Sequence, residues 1–247
     1  MKFSKPLIFV LLFASSLAYS QRQIQTLNSA WKFSSEVHPE QIVNIPHTWN
    51  AEDPFRDGKE YFRGKGTYTR TLFAPQKWEN KQVFLKFEGS NQITTLYVND
   101  QLIGEHRGGY TGFVFDITEA LKPGAENRLK IVVDNSHNVD IPPLDADFNF
   151  YGGIYRDLWL ITTPKLHFET ANEATGNFLI RTPEVSAENG RFSISSSIKN
   201  SSGKNERVTV EAEIFDPQGN SVELLKKKSR IKAEEVGEIT FEGNVTS

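Results

Sequence analysis

The sequence predicts an all-β protein, a jelly-roll β-sandwich over residues 21–164 followed by an immunoglobulin-like β-sandwich over residues 165–247. Three observations carry that expectation. Short segments alternate apolar and polar residues with a period of two; Gly, Pro, Asn and Asp punctuate them; and no stretch shows the periodicity of a long helix. The composition agrees: 18 Phe, 7 Tyr and 4 Trp make 12% of the 247 residues, too aromatic for a disordered chain. At about 100 to 200 residues per domain, the length suits one or two cores.

The first twenty residues are set apart from this pattern. Lys2 and Lys5 precede the apolar run Leu7 to Leu17, and Ala18-Tyr19-Ser20 supplies a small-x-small cleavage site, so residues 1–20 read as a signal peptide cut before Gln21. A membrane span would need roughly 20 apolar residues, about twice this run. The expected location is secreted or periplasmic, with no membrane partner.

From Gln21 onward the organisation is β throughout. In Gln82 to Glu88, Val83, Leu85 and Phe87 alternate with Phe84, Lys86 and Glu88, the period of a strand with one buried face. Thr67 to Phe73, Ile93 to Val98, Gly112 to Ile117 and Arg128 to Asp134 alternate in the same way. Asn99-Asp100 predicts a hairpin turn into Leu102-Ile103, and Lys122-Pro123-Gly124 closes a short helical turn begun at Thr118. Thr163-Pro164-Lys165 marks the domain boundary. Beyond it Phe192, Ile194, Ser196 and Ile198, then Val208, Val210, Ala212 and Ile214, form simpler alternations, with a turn at Asp216 to Asn220, a strand from Val222 to Lys232 and another from Glu238 to Glu242. These strands fall short of the seven in such a sandwich, so the second domain is expected to be truncated.

Charge and composition exclude several kinds of chemistry. A net charge of −3 with no concentrated basic field does not suit a nucleic-acid binder. The absence of Cys removes disulfides, thiolate zinc sites and cysteine nucleophiles. No G-x-S-x-G elbow is present for a serine nucleophile. His47 and His106 have no second metal ligand at short spacing, and read as residues that pack loops. The run Lys226-Lys227-Lys228-Ser229-Arg230, flanked by Glu223, Glu234 and Glu235, reads as a solvated strand face.

The most polar constellation is Leu144 to Gly153. In an extended segment Asp145 and Asp147 would point the same way ~6.6 Å apart, within the range for the carboxylates of an inverting glycosidase. With Asn149 they also begin like a calcium loop, which fails because Phe150 and Arg156 stand where Gly and Glu are needed. Local hydrogen bonding that merely holds the loop is the other reading. Trp49, Trp78, Tyr110, Phe148 and Tyr151 are candidates either to stack on sugar rings or to fill cores. Gly108-Gly109 and Gly152-Gly153 mark positive φ or close backbone approach.

A succession of blocks adds a resemblance. Ile45-Pro46-His47-Thr48-Trp49, Gly64-Lys65-Gly66-Thr67-Tyr68, Val83 to Gly89, Leu96-Tyr97-Val98-Asn99-Asp100, Gly104 to Thr111 and Phe148 to Asp157 occur in an order that resembles the N-terminal sugar-binding domain of glycoside hydrolase family 2. That family includes β-galactosidases, β-glucuronidases and β-mannosidases, and the Asp-Phe-Asn-Phe-Tyr-Gly-Gly-Ile-Tyr-Arg stretch is most like secreted β-galactosidases. The resemblance implies a galactose-binding-like jelly roll, an immunoglobulin-like domain and a downstream (β/α)₈ barrel. That barrel would carry two glutamates about 5 to 5.5 Å apart, as retaining chemistry requires. On this basis the chain holds no catalytic residue and is inactive alone, forming the wall of a pocket for a terminal β-galactoside or related glycan. The resemblance assigns Asp147 to contact the sugar and a sodium ion, with Asp145 beside it. No cofactor is expected in the chain itself, and sodium or magnesium in the full enzyme. A second family contact, an asparagine, is replaced here by Arg63. Arg156 and Asp157 are expected as a buried structural ion pair. The alternatives are a free-standing carbohydrate-binding or interaction module, or a family 2 β-glucuronidase or β-mannosidase.

Overall fold

The computed structural model describes residues 22–55, 61–145, 148–170, 174, 177–186 and 188–246. The expected signal peptide, residues 1–20, and Asp147 lie outside the described residues.

The first sandwich is built from ten antiparallel strands: β1 (Gln23–Thr26), β2 (Trp31–Ser35), β3 (Gln41–Val43), β4 (Lys65–Ala74), β5 (Lys81–Phe87), β6 (Ile93–Val98), β7 (Gln101–Arg107), β8 (Phe113–Asp116), β9 (Ala125–Asp134) and β10 (Leu158–Pro164). They form a four-stranded sheet in the order β1-β10-β5-β8 and a six-stranded sheet in the order β3-β2-β4-β9-β6-β7. Alternation decides which side chains meet between the sheets. Tyr68, Leu96, Val98, Leu129, Ile131 and Val133 come from the larger sheet and Leu85, Phe87, Leu158 and Leu160 from the smaller, all buried in one cluster with Trp31 and Phe33. Trp31 keeps its indole satisfied there by donating from Nε1 to the Leu27 carbonyl at 2.7 Å. The Asn99-Asp100 turn has φ of 52° and 68°, the doubly positive form that matches strand twist in a two-residue hairpin.

One strand departs from its predicted pattern. On β5 the alternation would expose Phe84, yet Phe84 is 2% exposed. Its ring meets that of His167 at 5.7 Å, so the second sandwich covers what would otherwise be the outer face.

That second sandwich begins where the chain leaves β10 at Pro164. It comprises β11 (Leu166–Phe168), β12 (Phe178–Val185), β13 (Asn189–Asn200), β14 (Glu206–Phe215), β15 (Ser221–Ile231) and β16 (Val236–Thr246). β13 pairs with β11 and β12 along one edge and with β16 along the other, while β14 and β15 make a separate two-stranded ribbon. Ile198, Ile239 and Phe241 face Val210 and Ile231 across the gap. Among the described residues no helix is long and apolar enough to cross a membrane.

The register has a topological consequence. Lys65 of β4 and Ile93 of β6 both pair with Asp134, Phe87 pairs with Leu158 and with Phe113, and Arg107 pairs with Ile93. The connections preceding β4, and those joining β5 to β6, β7 to β8 and β9 to β10, therefore emerge at one end of the first sandwich.

Candidate functional site

Loops that meet at one end of a rigid sandwich can form a site only if their backbone polar groups are satisfied. Here three asparagines do this. Asn50, fully buried, accepts from the Gly152 N–H at 2.9 Å and donates from Nδ2 to the carbonyls of Phe62 at 2.9 Å and Phe150 at 3.2 Å. Asn135, also fully buried, accepts from the Gly64 N–H at 2.8 Å and donates to the Phe150 carbonyl at 2.9 Å. Asn91 exchanges backbone hydrogen bonds with Gly153 and donates from Nδ2 to the Tyr151 carbonyl at 2.7 Å. The three amides thereby hold the segment Phe148 to Gly153 against the other connections.

Glycine permits the close approach. Gly153 has a φ of +128°, and a Cβ there would lie 2.3 Å from the His47 carbonyl oxygen. A Cβ on Gly152 would fall 2.1 Å from Trp49. The expectation of positive φ or close approach at these glycines is met.

The resulting cavity, about 250 Å³, is lined by Thr48, Asn91, Tyr110, Phe148, Asn149, Tyr151 and Tyr155. Of the aromatics that sequence left open between core and site, Trp49 and Trp78 are buried in the core, whereas Tyr110, Phe148 and Tyr151 are exposed and share this wall. Tyr155 donates its phenol proton to the Gly109 carbonyl, and Asn149 donates to the Tyr151 hydroxyl at 3.1 Å. Burial raises the pKa of Tyr155 and Tyr110 and pushes nearby Tyr61 up to about 12, so these phenols stay protonated and act as hydrogen-bonding groups. The Tyr61 hydroxyl is buried and has no hydrogen-bond partner among the described residues.

Arg63 lies beside this wall. Its Nε donates to the Asn135 carbonyl at 2.7 Å and its guanidinium sits 4.6 Å from the centre of the Phe150 ring. Its charge partly opposes the rise at Tyr61 and at Tyr110, which places a fixed cation next to the aromatic surface. Aromatic faces, amide and phenol groups and the adjacent Arg63 cation make a surface that can bind and orient a sugar ring; among the described residues the lining contains no carboxylate or imidazole that could move a proton.

Asp145 is exposed and is not part of the cavity lining. His47 packs its loop, with Nδ1 2.8 Å from the Tyr68 hydroxyl, whereas His106 is corrected from a loop to a strand position: it lies in β7 and its ring stacks on Phe113 of β8 at 3.9 Å. Among the described residues no group of three His, Asp or Glu side chains comes together to hold a metal. The buried Arg156–Asp157 pair is corrected: Arg156 is exposed with its guanidinium 5.9 Å from the Tyr155 ring centre, while Asp157 accepts from Asn28 Nδ2 at 2.8 Å. Adjacent residues on an extended segment point to opposite sides, which separates these two. Sequence reasoning missed Asn50, Asn91 and Asn135. The available signal was an amide with no Gly or Pro beside it, where a turn would not require one.

Comparison with known proteins supplies the class. Residues 52–164 match the model of the sugar binding domain of family 2 glycosyl hydrolases, and the chain belongs to glycoside hydrolase family 2. A β-glucuronidase of Bacteroides fragilis is 36% identical over 226 residues, covering 90% of this chain and 32% of that protein. A β-galactosidase of Thermoanaerobacter pseudethanolicus is 38% identical over 140 residues, covering 55% of this chain and 19% of that protein. The structure of Bacteroides uniformis β-glucuronidase 2 covalently bound to cyclophellitol-6-carboxylate aziridine superposes with a TM-score of 0.86 at 36% identity, over 92% of this chain and 28% of that one. The chain thus spans at most about a third of the length of these relatives.

Proposed function

We propose that this chain forms the non-catalytic sugar-binding wall of a secreted family 2 exo-glycosidase, with bond cleavage performed by a barrel in the same longer protein, and that the sugar is a terminal β-glucuronide. The observation that carries this reading is the aromatic cavity with Arg63 fixed at its side, because a guanidinium next to a sugar-stacking surface suits a ring that bears a carboxylate. The β-glucuronidase relatives, similar over nine-tenths of the chain, support the same choice. A β-galactoside is the second reading, favoured by the β-galactosidase that matches the first sandwich at 38% identity.

The full-length gene product assayed with aryl β-glucuronide and aryl β-galactoside separates them. The expected kcat/KM favours the glucuronide by about tenfold or more, equivalent to ~1.4 kcal/mol. The reverse ranking selects the galactoside, and hydrolysis of neither overturns the glycosidase reading. Asp147 belongs to this proposal as the residue that contacts the sugar and a sodium ion. In the full-length enzyme Asp147→Ala is expected to lower kcat/KM and weaken any sodium dependence while leaving the melting temperature in place; unchanged kinetics would leave Asp147 a loop residue only.

A further inference from the structure

In the β14–β15 ribbon, residues directly opposed across the ladder share a face. Val208, Val210, Ala212 and Leu225 turn toward the core of the second sandwich. On the outer face Arg207 stands opposite Arg230, and Thr209 opposite Lys228. Like charges set directly opposite each other destabilise a β-ribbon, so the Arg207–Arg230 pair gives no structural benefit in the absence of an anion.

The neighbouring lysines are accounted for. Lys226 meets Glu211 at 2.7 Å, and Lys227, from the other face, donates to the Thr240 carbonyl at 3.1 Å. A solvated, internally paired strand face describes those two residues. Arg207, Lys228 and Arg230, by contrast, have no carboxylate partner among the described residues. With Val208, Thr209 and Ser229 they line a groove of about 320 Å³ that, among the described residues, has no acidic residue in its wall.

We propose that this groove is a second binding site, for an anionic glycan, with a sulfate ester or uronate carboxylate seated between the Arg207 and Arg230 guanidiniums beside the Lys228 ammonium. Guanidinium groups bind such oxyanions through paired N–H donors. The Thr209 hydroxyl, on the same face as Arg207, supplies a neutral partner for a sugar hydroxyl. Farther along the same ribbon Phe215, Val222 and Leu224 are exposed, apolar surface of the kind on which sugar rings pack. The net charge of −3 and the small number of cations in the groove disfavour a nucleic acid. This inference is independent of the sugar assigned to the first sandwich.

Affinity electrophoresis through gels containing chondroitin sulfate, hyaluronan or neutral pullulan tests it. Retardation by an anionic polymer and not by pullulan is expected; a response to chondroitin sulfate alone identifies sulfate as the recognised group, and a response to both polymers shows that a carboxylate suffices. The variant Arg207→Gln/Arg230→Gln is expected to bind about tenfold more weakly. Lys77→Gln/Lys122→Gln, which loses the same charge at distant exposed positions, should bind as the parent does. Removal of the like-charge opposition should leave the melting temperature of the arginine variant equal or higher. The proposal is overturned by absence of retardation in both anionic gels, by equal weakening in the control, by equally strong binding of a DNA duplex, or by a lowered melting temperature in the arginine variant.

Discussion

His47 is held where burial works against its charge. The ring packs 4.6 Å from that of Phe33, and its Nδ1 shares a 2.8 Å hydrogen bond with the Tyr68 phenol, itself kept protonated by burial. Desolvation, with a smaller repulsion from His38, pulls the His47 pKa down to about 4. An unfolded chain protonates this residue near pH 6.5, so between those values the unfolded state binds more protons. The stability from neutral His47 is therefore complete above about pH 6.5 and is lost as the pH falls toward 4. Discounted for the partial exposure of the ring, the loss is ~1 to 2 kcal/mol. Urea unfolding followed from pH 7 to pH 4 should show this decline, and His47→Gln should flatten it. A residual slope of the same sign is expected, because burial also lowers the pKa of His106 and His167.

At the level of elements, the segment from β9 to β10 is the part of the first sandwich whose shape is imposed from outside. Asn135 ties it to the start of β4: the Asn135 N–H donates to the Gly64 carbonyl at 3.0 Å, and its side chain bonds both Gly64 and Phe150. Asn135→Ala leaves the Gly64 N–H without its acceptor and the Phe150 carbonyl with Asn50 alone, at a cost of about 1 to 3 kcal/mol. Hydrogen exchange should report the damage as faster exchange at Gly64 and Gly152, with the amides of β4 and β9 remaining protected; uniform loss of protection across both strands would contradict this local role. The strands themselves were legible because their alternation is a local property. Thr67 to Phe73 and Arg128 to Asp134 lie within β4 and β9, and the Asn99-Asp100 turn stands where its residue types require it. The asparagine clamps were not legible, since their partners lie as far as 102 residues away in sequence.

For the molecule as a whole, the contact between Phe84 and His167 joins the two sandwiches. His167 is 8% exposed and packs against the Phe84 ring, so its environment depends on the apolar cover that Phe84 provides. Phe84→Ala is expected to cost about 3 kcal/mol through the cavity it leaves. It should also admit water to His167 and raise its depressed pKa toward the ordinary value, which an NMR titration would read. A His167 titration unchanged from the parent would mean that other groups maintain its burial. Arg156→Ala, by contrast, removes an exposed side chain and should change stability by no more than about 0.5 kcal/mol.

The sequence by itself determined the all-β class, ten of the sixteen strands (β4 to β9 and β13 to β16), the hairpin turn and the glycines that allow close approach, since each depends on residue type and on neighbours within a few positions. The ordered blocks also made the family legible. Only the tertiary structure decided that Tyr110, Phe148 and Tyr151 share a wall while Trp49 and Trp78 fill the core, that Phe84 is covered, that Arg156 and Asp157 are separated, and that Arg207 faces Arg230. The physical reason is that these outcomes depend on strand register and loop closure, which bring together residues distant along the chain.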